Sequence, residues 1–341
     1  MNRGGRPRGV TSGLLLVALA SAASAFGQTP GRTADPGSRT EVQWLQAIQS
    51  AAQRLNYTGT IVYQRGGAIH TSRVVHYFDG NISHERLQLL DGKRREYIRR
   101  DTEVQCLYPD SRRVRYERRL EQERFPAIGA GAPVEILARY RLVLGAIERV
   151  ANTDCQVIVL EPKDDLRYGH WLCADPQTAL LLKAKMLDER SQPLEQMAFA
   201  DLRIGERMDR NQLKPSWSTE GWTVEKSEPQ PADVERSGWQ VEPPPGFRLT
   251  RAVLRSMAEG AAGPPAMQVV YSDGLATLSV FIEPDTSNAP LPDSARTQGP
   301  VSAFARRVGE SLVTVIGEVP PGTARMVAMS VAKAAGAAPA R

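Results

Sequence analysis

This sequence predicts an α+β protein of two domains, and three observations predict it. Residues 153–202 read as four short strands joined by tight turns. A second run of short strands fills 57–119 behind one amphipathic helix, and a proline-rich polar stretch over 211–238 divides all of this from a further mixture of strands and helices. Short strands joined by tight turns pair antiparallel, because parallel neighbours need a long crossover. At 341 residues there is chain enough for two domains that each bury a core.

The first 25 residues read as a secretory signal. Arg3, Arg6 and Arg8 precede an apolar run over 14–20, and Ala23-Ser24-Ala25 offers small residues for cleavage. The mature chain then begins near Phe26 in an oxidising compartment outside the cytoplasm, with residues 26–39 as a loose tail. No cysteine directly follows the cleavage site, the first being Cys106, so lipid attachment at a mature N-terminal cysteine is not expected. Without the leader's three arginines, 40 basic residues face 38 acidic ones. Nucleic-acid binding wants a strongly basic face and a recognisable module, and neither is present. No later apolar run approaches the roughly 18 residues of a membrane span.

The first domain covers 40–210. Thr40 with Gln43 three residues on forms a capping box, and Trp44, Leu45, Ile48, Ala51, Ala52 and Leu55 then make one apolar stripe at helical spacing. Such a stripe must bury against something, and strands follow directly. Turns at Gly66-Gly67, Asp79-Gly80-Asn81, Asp91-Gly92 and Pro109-Asp110 separate them. A short helix over 134–140 and a strand over 142–150 lead into the closing meander, with strands at 155–161, 167–174, 180–187 and 194–202. In the third of these, Leu180, Leu182, Ala184 and Met186 alternate with Leu181, Lys183 and Lys185, the period of a sheet with one buried face. Strands at such regular spacing predict a strongly curved sheet or barrel. A helix across its concave face would enclose an apolar cavity.

Residues 211–238 have linker chemistry, with Lys214-Pro215 and Glu228-Pro229-Gln230-Pro231 among polar residues. The second domain, 239–335, is predicted to hold a short helix over 252–257 and a hairpin turning at Ser272-Asp273-Gly274. A helix over 301–308, a strand over 313–318 and a last helix over 324–334, capped by Thr323, complete it.

Catalytic chemistry is not expected. His70, His76, His84 and His170 are too scattered for a zinc site, and there is no Gly-x-Ser-x-Gly elbow, phosphate-cradling loop or assembled nucleophile, base and orienter. No cofactor is called for. Cys155 and Cys173 lie symmetrically about Asp164, so in-register pairing sets them opposite each other across a hairpin. They read either as a cross-strand disulfide or as two small buried hydrophobes, with Cys106 as the odd thiol. Residues 93–119 carry ten Lys or Arg against five Asp or Glu, Arg94, Arg95, Arg99, Arg113 and Arg115 among them. These rows are a solvated outer sheet face or a dock for phosphates or an acidic partner segment. Arg306 and Arg307 repeat the idea more weakly.

Four motifs in order resemble the RseB/MucB family: Arg167-Tyr168-Gly169; Trp239 with Pro245-Gly246-Phe247; Tyr271-Ser272-Asp273-Gly274; and Gly317-Glu318 with Pro320 ahead of Thr323. The resemblance covers about 44–332. It implies a first domain similar to lipoprotein-carrier folds, an unclosed antiparallel β-barrel with covering helices, beside a smaller α/β C-terminal domain. It implies a periplasmic regulator of an envelope-stress sigma factor that holds the periplasmic part of a single-span anti-sigma factor of the RseA/MucA type and shields it from proteolysis. Lipopolysaccharide or an acylated lipoprotein would be the releasing signal, and a homo-oligomer is compatible with the family. An acyl chain is expected under the Trp44 helix, with the arginine rows at the mouth. The alternative is a carrier of acylated cargo, for which the first domain alone would suffice. Members of the family often carry an aromatic residue where this chain has Cys173, a departure that bears on the disulfide and not on the fold.

Overall fold

The computed structural model describes residues 39–118, 125–129, 131–205, 209–226, 230–255, 265–285, 291 and 295–333. Helix α1 (Glu41–Arg54) starts where the capping box predicts: Gln43 N donates to Thr40 Oγ1 at 3.3 Å and Thr40 N to Gln43 Oε1 at 2.8 Å. Such a cap contributes about 1 kcal/mol. The helix buries Trp44, Leu45, Ile48, Ala51 and Ala52, the stripe read from the sequence.

The first sheet is built from β1 (Tyr57–Arg65), β2 (Ala68–Phe78), β3 (Ser83–Leu89), β4 (Glu96–Arg100), β5 (Glu103–Tyr108), β6 (Arg113–Arg118), β7 (Tyr140–Val150), β8 (Thr153–Pro162), β9 (Gly169–Ala174), β10 (Leu181–Leu187), β11 (Pro193–Ile204) and β12 (Thr223–Lys226). Helix α2 (Pro133–Arg139) precedes β7. The strand order is β12-β6-β5-β4-β3-β2-β1-β11-β10-β9-β8-β7, so β12 and β7 are left as edges and the sheet is unclosed. Trp44, Leu45 and Ile48 of α1, Ile136 of α2, and Tyr57, Leu142, Ile158, Leu160, Leu172 and Phe199 of the sheet form one core. Each such side chain contributes about 1.5–3 kcal/mol when fully buried.

The second domain adds β13 (Gln230–Pro231), β14 (Trp239–Gln240), β15 (Arg248–Arg255), β16 (Ala266–Ser272), β17 (Thr277–Pro284), β18 (Arg296–Gln298), β19 (Val301–Val308), β20 (Ser311–Gly317), helix α3 (Pro321–Ser330) and β21 (Ala332–Lys333). Its sheet runs β13-β15-β16-β17-β20-β19-β18, and Val327, Ala328 and Val331 of the α3 segment pack on it in a separate core.

Four expectations need correction. Residues 252–255 and 301–308, predicted helical, are strands within β15 and β19. In β19, Ser302 and Phe304 point inward at period two, and pairing to β20 outweighs local helix propensity. Thr323 does not cap the last helix, which starts at Pro321 with Pro320 as its cap residue. Within the 211–238 stretch, β12 pairs parallel with β6. Cys155 and Cys173 are bridged, with Cα atoms 5.3 Å apart. They are not directly opposite, however: Val157 faces Cys173, so the hairpin is centred on Asp165 and the bridge runs diagonally. The signal peptide and residues 26–38 lie outside the described residues.

Candidate functional site

The four motifs that are far apart in sequence come together where the two domains meet, and Arg167 is at the centre. In the turn after β8, Asp164 Oδ1 accepts from Leu166 N at 3.1 Å and from Arg167 Nε at 2.8 Å, which turns the guanidinium inward. Its Nη1 donates to Asp273 Oδ2 and its Nη2 to Pro245 O at 2.8 Å, both in the second domain. The Tyr140 and Phe247 rings lie 5.8 and 5.2 Å from its Cζ. Both partners of the Arg167–Asp273 pair are 0 % exposed. A charge so placed is tolerable only when its hydrogen-bonding sites are filled, and the planar fork of Arg suits that.

Asp273 is filled as well. Its Oδ1 accepts from Leu275 N at 3.0 Å and Ala276 N at 2.8 Å, closing the β16–β17 turn, and its Oδ2 accepts from the Tyr140 hydroxyl at 3.2 Å. Burial, followed by the Asp273 charge, pushes the Tyr140 hydroxyl well above its ordinary range, so it stays a donor. Gly274, at φ +100°, brings backbone against backbone: a Cβ there would lie 2.7 Å from Gly131 Cα. Gly131 N donates to Gly274 O at 3.4 Å, while Gln49 of α1 holds Gly131 O at 2.9 Å. Gly246, at φ +88°, leaves room for Arg139, whose Nε would be 2.5 Å from a Cβ. Thr323 Oγ1 donates to Leu166 O at 3.0 Å, a bond between domains that replaces the predicted cap.

The other motif residues support these. Tyr168 is buried, and Trp239, Phe247 and Tyr271 belong to the second core. Ser272 Oγ accepts from Gly274 N at 3.0 Å, and Gly317 packs its backbone against Leu278. Glu318 and Gly317 line a cavity of about 640 Å³ at the junction. Leu160, Leu172, Met186 and Met197 supply an apolar wall from the first domain, and Thr250, Ser279 and Ile316 face it from the second. Its size is that of small-molecule sites. His170 also lines it, and burial lowers that imidazole to about 4, against the opposing pull of Asp273. Beside it, Arg65 Nη2 pairs with Glu195 at 2.9 Å, and the Tyr63 hydroxyl donates to the same carboxylate at 2.8 Å.

The space expected under α1 is taken by side chains. Trp44 is 1 % exposed inside the first core and is not part of the cavity wall, so the open volume lies at the junction. The arginine rows do not reach it either. Arg94 pairs with Asp110 at 2.7 Å, Arg95 Cζ lies 5.3 Å from the Tyr108 ring, and Arg99 sits on β4 opposite Glu85. Arg113 and Arg115 hold the two oxygens of Glu225 at 3.1 and 3.0 Å, which seats β12 on the sheet. Arg306 donates to Met329 O at 2.9 Å, and Arg307 pairs with Asp285. Tyr140 and Thr323 are junction residues that motif reading did not assign there. Tyr140 and Asp273 are 133 positions apart, and no spacing rule relates them.

Comparison with known proteins agrees with the order of the motifs. The model of the MucB/RseB N-terminal domain matches residues 40–217, and that of the MucB/RseB C-terminal domain matches 233–332. The chain is 33 % identical over 294 residues to the sigma factor AlgU regulatory protein MucB of Pseudomonas aeruginosa, covering 84 % of this chain and 89 % of that protein. It is 27 % identical over 300 residues to the sigma-E factor regulatory protein RseB of Haemophilus influenzae, covering 85 % and 90 %. Among solved structures, MucB in the Pseudomonas aeruginosa MucA/MucB complex is similar with a TM-score of 0.68 at 32 % identity, over 87 % of this chain and 99 % of that one. A crystal structure of MucB gives a TM-score of 0.61 at 30 % identity, over 85 % and 96 %.

Proposed function

We propose, on the premise that this chain belongs to the MucB/RseB family, that it is a periplasmic regulator that binds the periplasmic part of a single-span anti-sigma factor and shields it from proteolysis. The observation that carries this reading is that MucB, 32 % identical over 87 % of this chain, is solved in complex with MucA. Two domains held across one junction support it physically, since a partner that touches both gains from the second contact without a second association cost. The protein acts by occupancy, and a carrier of acylated cargo would have no use for the second core.

The junction cavity is the proposed seat of a lipid signal. An acyl chain would lie on Leu160, Leu172 and Met197, with Arg248 and Glu318 among the polar lining. Such a ligand releases the partner only to the extent that it prefers the partner-free arrangement. The assay mixes the anti-sigma periplasmic fragment with its initiating protease, with and without saturating amounts of this protein. Slower cleavage with the protein is expected, and restored cleavage on adding lipopolysaccharide. Equal cleavage rates with and without the protein would rule the shield out.

A further inference from the structure

We propose that Arg167 is a positioning residue for partner binding: its pair with Asp273 fixes the angle between the domains, and this lock opens as one unit. The part that concerns the partner rests on the anti-sigma reading above.

Three observations carry it. The side chains of the ion pair are 0 % exposed on both sides, and each guanidinium nitrogen donates to a group: Nε to Asp164, Nη1 to Asp273 and Nη2 to Pro245 O. A small rotation of one domain would pull Nη1 and Nη2 from acceptors that belong to the second domain and bring no water to replace them, so partial opening is costly from the start. Secondly, the Gly131–Gly274 contact is backbone on backbone, without a side chain that could change rotamer to absorb a shift. Thirdly, the same carboxylate that receives Arg167 also closes its own hairpin through Leu275 N and Ala276 N, so loss of the lock and loosening of the turn are coupled. The junction therefore has two arrangements rather than a continuum, which is what a switch between bound and released states requires.

The geometry also separates this role from a merely stabilising one. Each domain has its own apolar core, and Arg167 lies between them, against Tyr140 of the first and Phe247 of the second. Removing the lock should change the angle while leaving both cores folded.

The test uses the full mature chain, its Arg167→Lys and Asp273→Asn variants, and the periplasmic fragment of a MucA-type anti-sigma factor. Solution scattering reads the angle, calorimetric titration the affinity, and near-UV circular dichroism the packing of each core. The expected result is a broader scattering distribution and binding weaker by about tenfold or more in both variants, with the aromatic signals retained. Unchanged scattering, or unchanged affinity in a chain whose wild type binds, overturns the proposal.

Hydrogen exchange on the unmodified chain keeps the test independent of how the variants fold. Amides of Gly131, Leu275 and Ala276 should exchange through one common opening and slow together when the fragment is bound. Unrelated rates at these three amides overturn the single-unit lock. If the wild type does not bind the fragment, the anti-sigma reading fails, while scattering and exchange still decide whether Arg167 fixes the angle.

Discussion

Two arginine sites in this molecule use the same chemistry to different ends. At the junction, the side chains of Arg167 and Asp273 are both 0 % exposed, and nothing but protein can satisfy them. On the first sheet, Arg113 and Arg115 grip Glu225 with side chains 31 % and 27 % exposed against 29 %. Water can replace either partner there, so that grip contributes little, while the buried pair is expensive to break. Two arginines of the rows that dominate the charge pattern thus seat one short strand, while a single arginine in a hairpin turn carries the buried ion pair between two domains. Charge density along the chain measures how much charge there is, and desolvation decides what it does.

The comparison breaks if the two sites respond alike to mutation. Asp273→Ala should cost about 3–5 kcal/mol in urea denaturation, because Arg167 loses its buried partner and the packed junction is lost with it. A cost under about 1 kcal/mol would mean that water reaches the junction.

Acid sharpens the same point without mutation. His76 is 0 % exposed, its Nδ1 lies 2.7 Å from Leu55 O, and burial lowers it from 6.5 to about 4. The unfolded chain takes up a proton below pH 6.5 that the folded chain refuses, so this contribution is complete above 6.5 and declines as pH falls toward 4, by about 3 kcal/mol. Denaturation midpoints across that range should show the slope, and His76→Gln should reduce it, leaving the part that His170 contributes over the same range.

Glu96 offers an intermediate case, 0 % exposed against 16 % for Arg86, with Ser216 N donating to it at 2.9 Å. Glu96→Ala should cost about 1.5–3 kcal/mol by urea titration, less than the junction because Arg86 can reach water. Smallest of all, Glu225→Ala should cost about 0.2–1 kcal/mol, and added salt should shrink even that. Were it to match Asp273→Ala, burial would not be the governing variable.

Much of the fold was legible before any coordinates. The Thr40–Gln43 box, the Trp44 to Leu55 stripe and the closing meander appear where local pattern put them, since capping and alternation act within a few residues. The site was legible only as separate motifs. Arg167-Tyr168-Gly169 and Ser272-Asp273-Gly274 could be picked out, but their pairing could not, because a turn charge looks the same whether it meets water or a second domain. Pattern also failed over 301–308, where Arg306 and Arg307 beside small residues fit a helix as well as an edge-side strand.

What the sequence determined by itself is therefore local and periodic: where helices start, which strand residues face inward, where turns fall, and that two cores would form. The tertiary structure alone decided the register that makes the Cys155–Cys173 bridge diagonal, the docking of 223–226 on the first sheet, and the burial of Arg167. Each of these depends on residues tens to more than a hundred positions apart, or on a single-residue shift in a turn. Their free energy comes from water removed when distant surfaces meet, a quantity that no short stretch of chain contains.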